Sequence, residues 1–177
     1  MSLITKQATG ANNTRKLYLS VPVAIAAIVL SLAFNPVLAN GACTPNSPAP
    51  NIAATPQEVV KSVIDALRDN DKDNTGIATV FCFASPGNRS MTGPLESFTA
   101  MITNGYGVML NHAYNYVEKM KIEDDTAMQA VWLIATDGKE YGFLFTMGKQ
   151  SGGEFADMWM TEAVVPIERK GTQGLGI

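Results

Sequence analysis

Histidine, cysteine and positive charge are all scarce in this chain, and each scarcity removes a class of chemistry. His112 is the only histidine among 177 residues, so neither a His-rich metal site nor a histidine pair can be built, and no metal is expected. Two cysteines, Cys43 and Cys82, are too few for a disulfide-knit scaffold or a zinc finger, and leave open whether they pair with each other. Lysine and arginine total 13 against 16 acids. Lys6, Arg15 and Lys16 stand at the N-terminus, so the rest carries ten cations against sixteen acids, a net charge of −6. Nucleic-acid binding is disfavoured, because it needs a basic face for the phosphates. No phosphate loop, dinucleotide fingerprint or G-x-S-x-G elbow occurs, so no cofactor is expected.

Charge is absent altogether from 41 consecutive residues between Lys16 and Glu58. Arg15-Lys16 precedes an uncharged run of 18 residues, Leu17 to Phe34, and Val37-Leu38-Ala39 places small or apolar residues where a signal peptidase reads them. Residues 1–39 are therefore expected to be a signal peptide cut after Ala39, or a membrane anchor held by residues 17–34, since 18 residues is also the short end of a bilayer span. Either way the basic flank stays behind and the rest crosses, to a periplasm, thylakoid lumen or extracellular space. A lipoprotein reading of Cys43 lacks the usual upstream leucine. Residues 40–54, with three prolines and no apolar period, are expected to form a flexible linker. Residues 55–167 then form one domain and 168–177 a disordered tail.

Within the domain, Thr55-Pro56-Gln57-Glu58 joins an N-cap threonine, a first-turn proline and a glutamate three residues on, and Val59, Val60, Val63, Ile64 and Leu67 recur at helical spacing. Asp69 to Gly76 resembles a calcium loop. Counting from Asp71, however, puts Cys82 where the bidentate glutamate belongs, which favours a solvated acidic turn. A second helix is expected over 77–84, stopped by Ser85-Pro86-Gly87, and a third from Gly93-Pro94 to Asn104-Gly105. After His112 the period changes to two, with strands expected at about 113–122, 126–136, 139–147 and 155–166 and an Asp137-Gly138 hairpin. Three helices followed by a four-stranded antiparallel meander make an α+β domain. Met128, Trp132 and Ile134 share one face of the sheet and Val131 and Leu133 the other, so one face would pack on the helices and the other could meet a second copy of the chain.

Strict alternation puts Glu118 with Tyr114, Tyr116, Met120 and Ile122, where a carboxylate among apolar neighbours could shuttle a proton unless a bulge or an exposed face turns it outward. Asp157 shares a face with Phe155 and Trp159 on the same reasoning. His112 is a third acid–base candidate, against a packing or capping role at a helix-to-strand junction. Arg89, between a Pro-Gly turn and a helix start, could hold an anion or make a local salt bridge. Tyr114, Tyr116, Met120 and Trp132 are the expected ligand-facing positions on the sheet.

Phe83-Ala84-Ser85-Pro86, Asn88-Arg89, Thr92-Gly93-Pro94-Leu95, Phe98, Met101, Tyr106, Leu110, His112 and Trp159-Met160-Thr161 resemble the pattern of the domain-of-unknown-function family 4864, found in bacteria and photosynthetic organisms. The order of elements is similar to the nuclear transport factor 2-like superfamily. That resemblance implies a curved sheet wrapped against helices around a pocket. It carries no catalytic residues over. The superfamily holds isomerases and dehydratases as well as plain binding domains. The expected function is binding of a small apolar ligand or a protein partner. The alternatives are an isomerase or dehydratase using Glu118, Asp157 or His112, and a membrane-associated assembly factor in a photosynthetic organism.

Overall fold

The computed structural model describes Cys43 and residues 47–169. The expected leader over residues 1–39, and the tail beyond Arg169, lie outside the described residues. The first helix, α1 (Pro56–Arg68), opens as its sequence requires. The Glu58 amide donates to Thr55 Oγ1 at 3.3 Å and the Thr55 amide to Glu58 Oε2 at 2.8 Å, so two amides that a helix start leaves orphaned are satisfied reciprocally. Val59, Val60, Val63, Ile64 and Leu67 are each only 1% exposed, and burials of this kind stabilise by roughly 1.5–3 kcal/mol apiece.

The acidic turn closes on its own backbone and leads into the second helix. Asp71 Oδ1 accepts from the amides of Asp73 and Thr75, and Oδ2 accepts from the Thr75 hydroxyl at 2.8 Å. These bonds hold the Asp71 carboxyl below its ordinary pKa, the Thr75 amide contributing most. α2 (Thr75–Phe83) is buried along nearly its whole length. It lies so close to α1 that a Cβ on Gly76 would come within 2.1 Å of the Ala66 carbonyl oxygen. Cys82 on α2 is disulfide-bonded to Cys43, with Cα atoms 5.3 Å apart.

Ser85-Pro86-Gly87 does stop α2, but the same residues start another helix, α3 (Pro86–Thr92), so the described residues hold four α-helices where three were expected. Ser85 is the N-cap, accepting from the Asn88 amide at 3.1 Å, and Pro86 takes the first helical position. α4 (Leu95–Gly105) and a short 3₁₀ turn at Gly107–Met109 complete the helical part. Among the described residues no helix is long and apolar enough to cross a membrane.

The sheet is antiparallel and has five strands rather than four: β1 (Tyr114–Val117), β2 (Lys121–Glu123), β3 (Thr126–Ile134), β4 (Glu140–Lys149) and β5 (Trp159–Ile167). β1 and β2 both pair with one edge of β3, then β4 and β5 complete the sheet. The segment expected as one strand over 113–122 divides because Val117 pairs with Val131 whereas Lys121 pairs with Met128, so Glu118, Lys119 and Met120 face only Gln129 and Ala130. This one-residue bulge reverses the alternation. Asp137-Gly138 forms its hairpin turn, with Gly138 at φ 80° and the Lys139 amide donating to Asp137 Oδ1 at 3.0 Å. The core lies between the helices and one face of the sheet, where Ala127, Val131, Leu133, Phe143, Phe145 and Met147 meet α1, α2 and α4.

Candidate functional site

The feature with the geometry of a ligand site is a cavity of about 190 Å³ inside this helix-to-sheet interface. Leu67 of α1, Val80 and Ala84 at α2, Asn88 and Met91 of α3, Phe98, Met101 and Ile102 of α4, Tyr106 and Met109 enclose it from the helical side. Phe145 of β4 and Thr161 to Val164 of β5 close it from the sheet. The lining is chiefly apolar, which is the usual composition of a small-molecule pocket.

A second irregularity lies in β5, along this wall of the cavity. Thr146 pairs with Ala163 while Met147 pairs with Thr161, leaving Glu162 as an extra residue in β5. In a regular strand Thr161 and Glu162 would point to opposite faces. Both residues border the cavity, but the Glu162 carboxylate lies over Gly148, on the face of β4 that also carries Gly142 and away from Phe145. The Glu162 carboxylate accepts from the Ser85 hydroxyl at 2.7 Å on Oε2 and from the Gln150 amide at 2.8 Å on Oε1. Gly148 leaves room for it, since a Cβ there would lie 2.7 Å from Glu162 Oε1. Thr161 is fixed by its backbone: its carbonyl accepts from the Ser85 amide and from Asn88 Nδ2. Its side-chain hydroxyl is buried without a hydrogen-bond partner among the described residues.

The residues expected to carry function from sequence are spread elsewhere. Tyr114 and Tyr116 are on the sheet face away from the helices, in register with Ile134 and Trp132, and Tyr114 is 72% exposed. Glu118 stays on that outer face, exposed, with Oε1 accepting from Trp132 Nε1 at 2.9 Å. The bulge turns Met120 inward, where it joins the core but does not line the cavity. Trp132 is on the outer face yet only 5% exposed. Tyr116 stacks beside it with ring centroids 6.5 Å apart, and the Arg169 guanidinium sits 4.7 Å from its ring and is paired with Glu140. Gly142 crosses it so closely that a Cβ would come within 2.5 Å of the indole.

His112 is buried against the 3₁₀ turn, its Nδ1–H donating to the Met109 carbonyl at 2.8 Å. Asp157 is exposed in the loop before β5, at φ 63°, and lies 3.6 Å from Lys149. Arg89 reaches back from α3 to the end of α2, donating to the carbonyls of Phe81 at 3.1 Å and Cys82 at 2.6 Å. A cation placed on the last carbonyls of a helix meets the negative end of its dipole. The rings of Phe81 and Phe155 lie 5.3 and 5.1 Å from the guanidinium, and burial lowers its pKa, opposed by Glu154. Arg89 does not line the cavity.

Alternation could not find the cavity, because its walls come from elements far apart in the chain, α1 to α4 together with β4 and β5. A signal was nonetheless present. Ala84, Asn88, Thr92, Phe98, Met101, Tyr106 and Thr161, all among the residues that carry the family resemblance, line it together.

Residues 50–174 match a family model described as a domain of unknown function, DUF4864. No curated protein and no solved structure matches the chain.

Proposed function

The chain belongs to the DUF4864 family, and within it we propose that the domain binds a small apolar molecule in the cavity between α1, α2, α4 and β5. The observation that carries this reading is the cavity itself, about 190 Å³ and lined mainly by Leu67, Val80, Phe98, Met101, Ile102, Met109 and Phe145. An apolar cavity of roughly 150 Å³ is enough to take up benzene or xenon. The arrangement fits the cone of the nuclear transport factor 2-like proteins, whose sheet and helices enclose a pocket. The acid–base alternative finds little support, since His112, Glu118 and Asp157 do not converge on the cavity and Glu162 is the one carboxylate in its lining.

The binding domain acts, on this reading, after export or on a membrane tether. The leader supports it, and so does the Cys43–Cys82 disulfide, because such bonds persist in oxidising compartments. The disulfide also occupies the Cys43 sulfur that a lipoprotein anchor would use.

Methyl-labelled methionine makes the ligand test direct. Met91, Met101 and Met109 line the cavity, whereas Met120, Met128 and Met147 do not. Titration with benzene should shift the first three methyl resonances and leave the others in place. No shift at saturation in any of the three would refute the reading. A second reading, pairing of two copies through the outer sheet face, draws on exposed Tyr114, Met128 and Val165. Sedimentation equilibrium decides it, with a monomer at all concentrations as the refuting result.

A further inference from the structure

The outer face of the sheet carries an aromatic platform with a cation on it. Register sets Tyr116 of β1 beside Trp132 of β3, and Trp132 beside Gly142 of β4. The Tyr116 and Trp132 rings have centroids 6.5 Å apart and planes inclined by 17°, so they form one nearly continuous surface. The strands fix its position: Trp132 Nε1 donates to Glu118 Oε1 at 2.9 Å, and Gly142 supplies the room that the indole fills. Two carboxylates border the platform, Glu118 at the indole nitrogen and Glu140 at the Tyr116 hydroxyl. The Arg169 guanidinium stands 4.7 Å from the Trp132 ring and 5.9 Å from the Tyr116 ring. It donates to the Tyr116 hydroxyl and pairs with Glu140 at 3.3 Å. An aromatic face attracts a cation through its quadrupole, and a planar, weakly hydrated guanidinium stacks on such a face better than an ammonium.

The platform belongs to the sheet, whereas Arg169 lies two residues past the end of β5 and its side chain is 57% exposed. An exposed pair of that kind is held weakly. We propose that Tyr116 and Trp132, with Glu118 and Glu140, form a docking site for an arginine side chain of a partner polypeptide, and that Arg169 occupies this site in the partner's absence. Charge selects the occupant, since two carboxylates face a single guanidinium there. A polypeptide fits better than a free cation, because Tyr114, Met128 and Val165 are exposed on the same face and would be covered along with it. None of these residues lines the cavity, so the platform stands or falls apart from the ligand proposed there.

The chain has two tryptophans, Trp132 and Trp159, so a nitrogen-15-labelled protein gives two indole N–H resonances, one of which reports on the platform. The probes are N-acetyl-arginine amide and N-acetyl-citrulline amide, which share a shape and differ in charge. In Arg169→Ala, the arginine probe should shift the Trp132 resonance, leave Trp159 in place, and bind about tenfold more tightly than the citrulline probe. The parent should bind the arginine probe about twofold or more weakly than Arg169→Ala, because the tethered guanidinium competes at a local concentration on the order of millimolar. Adding Glu140→Gln to Arg169→Ala should weaken the arginine probe about threefold. An unmoved Trp132 resonance in Arg169→Ala, an equal response to the two probes, or equal affinity in the parent and Arg169→Ala would overturn the proposal. A parent that sediments as a dimer, with Arg169→Ala a monomer, would instead make a second copy of the chain the occupant and overturn the separate partner.

Discussion

Replacing Thr161 by valine should make the ligand-free protein more stable, which few buried substitutions do. The residue is 3% exposed on β5 and its hydroxyl has no partner among the described residues. An unsatisfied buried polar group of this kind costs about 1–3 kcal/mol. Valine removes that cost and puts a methyl in place of the hydroxyl. The methyl takes the place of a fully buried atom, and burying one such group contributes about 0.8 kcal/mol. Discounting for relaxation of the parent around the hydroxyl leaves an expected gain of roughly 1–2 kcal/mol, or on the order of 4–8 °C in Tm for a domain of this size. Urea unfolding is the suitable assay, with an increased midpoint at unchanged slope as the expected signature. The protein should first be unfolded and refolded to strip any bound molecule, because a ligand on the parent would mask the difference by mass action. A loss of 1 kcal/mol or more in Thr161→Val would mean that the hydroxyl is paired in solution, and would refute the reasoning.

The Cys43–Cys82 bond spans 39 residues, and the chain-entropy account values such a loop at roughly 4 kcal/mol; Cys43→Ala should therefore lower Tm on the order of 10–15 °C, and identical melts for the two proteins would show that the bond does not form. Gly76→Ala, whose Cβ would stand 2.1 Å from a backbone oxygen, should cost about 3 kcal/mol or more or prevent folding, with a parent-like melt as the contrary result. Gly142→Ala meets the Trp132 indole at 2.5 Å and the Ile167 carbonyl oxygen at 2.8 Å, so only the indole's share of a cost of about 1–3 kcal/mol should be recovered by adding Trp132→Leu, and strict additivity of the two changes would contradict the contact. Glu58 is held below its ordinary pKa, first by the Thr55 amide and then by the Thr55 hydroxyl. Its contribution is present above the unfolded carboxyl pKa and is lost as pH falls through the depressed one, so Glu58→Gln should flatten the acid limb of stability against pH, and an unchanged limb would count against the capping box.

How far the sequence alone leads depends on whether the relevant physics is local. The start of α1 was legible because a capping box is four consecutive residues, Thr55 to Glu58, acting on one another. The Asp137-Gly138 hairpin was legible for the same reason, and the inward Val131 and Leu133 follow from simple alternation on β3. α3 was hidden because Ser85-Pro86-Gly87 carries two meanings: the proline that cannot continue α2 is well placed as the first residue of the next helix. The bulges were hidden because an inserted residue is defined by its partner strand, Gln129 and Ala130 in one case and Thr146 and Met147 in the other. Register along one strand says nothing of that. The site was missed with them, since its walls join residues as far apart in the chain as Leu67 and Val164.

The two bulges differ in what the chain could lose. Removing Lys119 would leave Glu118 opposite Ala130 and Met120 opposite Gln129, so every other pairing on β3, the outward Tyr116 and the inward Met120 would all survive. Removing Glu162 would likewise straighten β5 and keep its pairs, yet it would erase the carboxylate that Ser85 and Gln150 hold. Gene sequences that drop a codon at the first position should therefore encode the same fold with the same pocket. Those that drop one at the second should encode the same fold without the tie that fastens β5 to Ser85 and Gln150.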